Sequence, residues 1–239
     1  MTHRSSDEQD EGSGGPNTVA ELLRSRPPMA RELPRFDLDR APSDPGSLFV
    51  DWLIGAFDAE VLDAQVVTLS TVDADGLPDA RVLVLRDVDV EGAGWLFAVD
   101  SDSPKGRQLT AHPVAAMTLY WPPLGRQVRI RGTVAAAPPE VSAAEFLTRS
   151  PAARTAALVG RQSRSLPSLE TYDEAAEAAR LRLAAEPGVI APSHTVYTLW
   201  AQEVEFWQGD PNRRHVRLRF TRTGPGTGSA AWTRTLLWP

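Results

Sequence analysis

The 239-residue chain has a formal net charge of −6, is 42% hydrophobic and 7% aromatic, and contains four histidines and no cysteine. A chain of this size buries one sizeable core; it has no apolar run of about 18 residues to span a bilayer, and its start, MTHRSSDEQDEGSGG, lacks the apolar stretch of a secretory signal, so a cytoplasmic protein is expected. Without cysteine there is no disulfide, thiolate nucleophile or Cys-type zinc site, the histidines form no H-x-x-x-H pair and no metal is expected, while the acidic balance argues against a general nucleic-acid binder but leaves room for a local arginine cluster that holds one small anion.

Residues 1–18 are polar, acidic and rich in Gly and Ser, the composition of a disordered tail, and residues 19–239 are expected to form one domain. After a Pro-rich stretch, Leu48, Trp52, Leu53 and Phe57 recur at helical spacing within 46–61, with Ser43 and Asp44 as candidate caps. AQVVTLSTV and DARVLVLRDV, joined by Asp73-Ala74-Asp75-Gly76, and then GWLFAV, read as an antiparallel meander. SPKGRQLTAHP reads as a short helix with Ser103 as N-cap and Pro104 in its first position, ended by Pro113. Two strands, VAAMTLYW and RQVRIRGTVAA, precede a helical insertion over about 139–186, and three more, TVYTLWAQEVEFWQ, HVRLRFTRT and AAWTRTLLW, close the chain, the last two linked by GPGTGS. This order favours a mainly β barrel with helical insertions over a doubly wound sheet.

Several residues invite a chemical reading beside a plain one. Arg81 and Arg86 bracket an apolar strand, either as its charged ends or as anion ligands. Lys105 lies in the first turn of a helix, where a cation opposes the dipole unless an anion is near. Arg213, His215, Arg217 and Arg219 alternate along one expected strand beside Trp207, a row that repels itself unless an anion lies against it; the plain reading is a solvated basic edge.

EFWQG followed by R-x-H-x-R, with RVLVLR, SPKGRQL, RQV and RQS in order, resembles the pyridoxamine 5'-phosphate oxidases and the related flavin oxidases of phenazine biosynthesis, from about residue 35 to Pro239. The resemblance implies a split β-barrel homodimer with two FMN sites built across the subunit interface. Matched to the family's motifs, Arg81, Val82, Leu83, Val84, Arg86, Lys105, Gln127, Gln162, Ser163, Trp207 and Arg217 would contact FMN. Arg86, Arg149, Arg213 and His215 would contact the substrate, with Arg213 and His215 in the catalytic positions. The cations suit a phosphate dianion and the amides suit the ring and polyol. The family's arginine before Lys105 is Pro104 here, Ala98 and Val99 lack the usual hydroxyl, and a tyrosine and a serine that hold a substrate phosphate correspond to Glu145 and Ala153.

The function implied is an FMN-dependent oxidase with dioxygen as acceptor, acting on pyridoxamine or pyridoxine 5'-phosphate or a related small planar ring. A dihydrophenazine-like tricycle is the alternative, and a non-catalytic flavin-binding barrel a second one. FMN is expected rather than FAD, because no G-x-G-x-x-G turn is present for a pyrophosphate. Glu145 and Arg149 are also expected to form an i,i+4 ion pair on one helix.

Overall fold

The computed structural model describes residues 18–224 and 231–239. The tail expected over 1–18 therefore lies outside the described residues except for Thr18, as does GPGTGS except for Gly224. Eight strands form one sheet: β1 Val66–Val72, β2 Pro78–Asp89, β3 Gly94–Asp100, β4 Val114–Trp121, β5 Arg126–Ala136, β6 His194–Gln208, β7 Val216–Thr223 and β8 Ala231–Leu236. Their order is β3-β2-β1-β4-β5-β6-β7-β8, and a further β3–β6 pairing closes the first six into a barrel. Every pairing is antiparallel, and β7 and β8 extend the sheet beyond the barrel. Among the described residues no helix is long and apolar enough to cross a membrane.

Strand alternation decides what fills the barrel. In β1, Val67, Leu69 and Thr71 point inward, and Val128, Ile130 and Val134 do so in β5. All of these but Thr71 join Phe97, Met117, Leu119, Leu199 and Val204 in one buried cluster, each large side chain contributing about 1.5–3 kcal/mol by leaving water. Gly132 sits at the β5–β6 bulge, where a Cβ would meet the Trp200 carbonyl, so this close approach of β6 depends on a residue without one.

The expected helix over 46–61 is α2, Pro45–Asp58, following α1, Val19–Ser25. Asp44 alone caps α2, its carboxylate accepting from Ser47 N at 2.7 Å. Leu48 and Trp52 are buried as expected, but Phe57 is 51% exposed, and Phe49 and Ala56 complete the inner stripe. Phe49 meets Trp95 edge-on at 5.5 Å and Trp52 meets Phe206 at 5.2 Å, which anchors the helix to the barrel. Helix α1 was not expected; the Thr18–Glu21 capping box starts it, but it buries none of its residues.

The short helix is α3, Pro104–Ala111, with Ser103 as N-cap as read. The helical insertion resolves into α4 Pro139–Thr148, α5 Pro151–Val159 and α6 Leu169–Ala185, with a loop over 160–168. Ser142 Oγ accepts from Val196 N at 3.0 Å and ties α4 to β6.

Three sequence expectations change. Arg81 and Arg86 lie within β2 rather than at its ends, and a bulge between Leu85 and Asp87 leaves Arg86 out of the ladder to β3. Arg213 and His215 precede β7, because a turn at Asp210 intervenes. Asp210 O accepts from Arg213 N at 3.0 Å, its carboxylate accepts from Asn212 N at 2.7 Å, and Arg213 is left-handed at φ 65°. Arg149 ends α4 as its C-cap with an extended backbone, so the ion pair expected with Glu145 does not form; Glu145 pairs instead with His194 and Arg86.

Candidate functional site

A cavity of about 950 Å3 opens between one end of the barrel and the helices, within the range of cofactor sites. β2 contributes Asp79 to Leu83, β3 Ala98 to Asp100, and α3 Pro104 and Lys105. The far wall comes from Arg149, α5, the 160–168 loop with Gln162 and Ser163, and His194.

Arg81 is held in place by its own strand and by α3. It donates to Asp79 at 2.5 Å, Thr71 Oγ1 at 2.5 Å, Gln108 Oε1 at 3.1 Å and Leu69 O at 3.3 Å. A hydrogen bond from Gln108, opposed by burial and reinforced by Arg81, keeps the Asp79 carboxyl below its ordinary value. Lys105 differs. Its ammonium is half-buried, donates only to neutral oxygens, Gln162 Oε1 at 2.5 Å and Ser103 Oγ at 3.2 Å, and makes no ion pair among the described residues. Burial pushes it below its ordinary value, Arg81 adds to this, and Asp100 opposes it. Two cations, amide and hydroxyl groups, and the N-terminal end of α3 meet at this end of the cavity. That donor set fits a phosphate dianion on a polyol such as FMN carries.

On the cavity wall, Arg149 and His194 are linked to each other and to Glu145 and Arg86, which lie behind that lining. His194 is almost wholly buried, and its Nε2 lies 2.5 Å from Glu145 Oε2 while its Nδ1 lies 3.4 Å from Arg149. Arg86 Nε is 3.5 Å from the second Glu145 oxygen. Burial lowers the imidazole from its ordinary value, Arg149 and Arg86 act in the same direction, and Glu145 opposes them.

The other expected residues stand apart from this cavity. Tyr120, Gln127, Trp207 and Arg217 are successive cross-strand partners on β4, β5, β6 and β7 and so share one face of the sheet. Trp207 lies against His215 at 4.8 Å, and His215 Nδ1 accepts from Asp210 N at 3.0 Å. The basic row is neutralised from within: Glu205, 4% exposed, takes Arg217 at 2.8 Å and Arg129 at 3.3 Å, and Glu203 takes Arg219 at 3.7 Å. No external anion is needed to relieve its repulsion.

Residues 53–183 match the family model described as pyridoxamine 5'-phosphate oxidase, and residues 194–239 match the pyridoxine 5'-phosphate oxidase C-terminal dimerisation region. The chain is 37% identical to a pyridoxine/pyridoxamine 5'-phosphate oxidase of Chromohalobacter salexigens, over 85% of this chain and 93% of that one. It is 36% identical to the same enzyme of Pseudomonas fluorescens, over 91% and 100%. The chain belongs to the pyridoxamine 5'-phosphate oxidase family. Among solved structures it resembles PhzG of Burkholderia lata in complex with tetrahydrophenazine-1-carboxylic acid, with a TM-score of 0.75 and 29% identity over 87% and 99% of the two chains. An FMN-binding protein of Nostoc punctiforme shares the fold, with a TM-score of 0.65 at 19% identity over 82% and 97%.

Membership of the pyridoxamine 5'-phosphate oxidase family makes the chain an FMN-dependent oxidoreductase with a split-barrel fold. Of the residues the family's motifs mark, Arg81, Val82, Leu83, Lys105, Arg149, Gln162 and Ser163 line the cavity. Arg86, which pairs with Glu145, does not line it, nor do Val84, Gln127, Trp207, Arg213, His215 and Arg217. Asp79, Gln108, His194 and Glu205 had no role in the sequence reading. Strand alternation puts Asp79 on the Arg81 face and could have found it; the other three need the tertiary pairing.

Proposed function

We propose that the chain is an oxidase that binds FMN with its phosphate at Lys105 and Arg81 and oxidises a small planar ring substrate, with dioxygen as acceptor. The observation that carries this reading is Lys105, a half-buried cation facing the cavity beside Arg81 with no ion pair among the described residues. FMN when bound supplies the hydride-accepting chemistry, and the chain supplies binding and orientation. Gln162 and Ser163 would bond the cofactor from the loop, and Val82 and Leu83 from β2. Gln127, Trp207 and Arg217, with Arg213 and His215, would complete the cavity of the opposite protomer in a homodimer; their separation from the cavity in one chain and the dimerisation-region match support this. Because His215 Nδ1 accepts from Asp210, a neutral His215 carries its proton on Nε2 and can donate to substrate.

The family's vitamin B6 phosphates are the first substrate candidates. A dihydrophenazine-like tricycle is the second, favoured by Glu145 and Ala153 standing where the family's phosphate-holding tyrosine and serine are expected. Purified protein should be yellow and release FMN by mass spectrometry, and each candidate should be tested for anaerobic bleaching of the bound flavin and recovery on admitting air. Release of FAD or F420, or no flavin after reconstitution with FMN, sinks the proposal.

A further inference from the structure

We propose that Glu145 and His194 set the charge around Arg149 on the cavity wall to accept a singly charged carboxylate and to disfavour a phosphate dianion, His194 acting as a positioning residue for Arg149. This rests on the reading of the cavity as the substrate site of a flavin oxidase.

The hydrogen bonds fix the charge. An arginine can only donate, so His194 Nδ1, 3.4 Å from the Arg149 guanidinium, is the acceptor. Its proton then sits on Nε2 and is donated to Glu145 at 2.5 Å. The imidazole is neutral in this arrangement, in keeping with the direction in which burial moves it. Arg86 and Arg149 contribute two positive charges, Glu145 one negative and His194 none, leaving one positive charge. Asp100, the cross-strand partner of His194 on β3, acts on Lys105, whereas the charges that act on His194 are those of Glu145, Arg149 and Arg86.

The arrangement is also rigid. The His194 side chain is 3% exposed, and Phe146 from α4 meets the ring edge-on at 5.1 Å. The imidazole is packed in place and holds the Glu145 carboxylate near enough to act on Arg149. A monoanionic carboxylate at Arg149 balances the single positive charge. A phosphate dianion leaves an excess negative charge in a partly desolvated site beside a fixed carboxylate, which is unfavourable. Ala153, at the cavity wall, has no hydroxyl to offset that cost.

The test uses the flavin-loaded protein at pH 7.5 and two probes, pyridoxal 5'-phosphate and phenazine-1-carboxylate, each titrated by its perturbation of the flavin spectrum. Glu145→Gln keeps the side-chain volume and an acceptor for His194 but raises the net charge to two. It is expected to tighten the phosphate probe by about tenfold and the carboxylate probe, which carries half the charge, by only about threefold. Imidazole 15N NMR of the natural protein, with the His194 signal assigned by its loss in His194→Gln, is expected to show a neutral ring protonated on Nε2. An equal response of the two probes, phosphate binding already as tight in the natural protein as in the variant, or an imidazolium signal overturns this inference and leaves the oxidase reading standing. Failure of both probes to perturb a bound flavin overturns both.

Discussion

Glu205→Gln is expected to destabilise the fold, because it leaves Arg129 and Arg217 facing a neutral amide at a site that is 4% exposed. The loss should be about 1–2 kcal/mol, below the upper range for charged hydrogen bonds because both arginines reach solvent. Urea unfolding should show a lower midpoint with an unchanged slope. The sequence shows Glu205 only as part of EFWQG; that it serves two arginines depends on β6 lying between β5 and β7, a register no local pattern reveals. Lys105 was legible because a cation in a helix's first turn is out of place on local grounds alone. His194 was not, since an isolated histidine near a strand end has no pattern. Its imidazole is depressed from 6.5, so between that lower value and about 6.5 the unfolded chain binds more protons than the folded one. Stability should therefore fall as pH drops through this window. His194→Gln should flatten that part of the stability profile in denaturant titrations at stepped pH; an unchanged slope would place its origin elsewhere.

At the scale of elements, α3 is placed by a close approach. A Cβ on Gly106 would meet the backbone of Ser101, so neither side could give way. Gly106→Ala should cost about 1–3 kcal/mol by overpacking and, by tilting α3, should displace Lys105 and weaken FMN retention on gel filtration. Full retention with full stability would show that the helix has slack. The strands and α3 were legible from alternation and capping. The Phe57 face was not, because apolar spacing alone does not say which of two overlapping stripes, 48-52-53-57 or 48-49-52-56, the barrel takes. The basic row was misread for a related reason: alternation was counted from Arg213, but the turn at Asp210 keeps Arg213 and His215 out of the strand, which starts at Val216.

For the whole molecule, a homodimer of twice the 26.0 kDa chain is expected by light scattering, with two FMN per dimer. A flavin-loaded monomer would refute the shared-site arrangement. Beyond the assembled state, β6 shapes how the molecule is reached. This 15-residue strand pairs with β3, β5 and β7, so it both closes the barrel and carries the C-terminal extension. During synthesis five barrel strands and the helical insertion leave the ribosome before β6 exists, and the β3 and β5 edges wait with unpaired amides and carbonyls. A nascent chain stalled before His194 should therefore be a chaperone client that clumps on release, whereas one stalled beyond Gln208 can already close on itself.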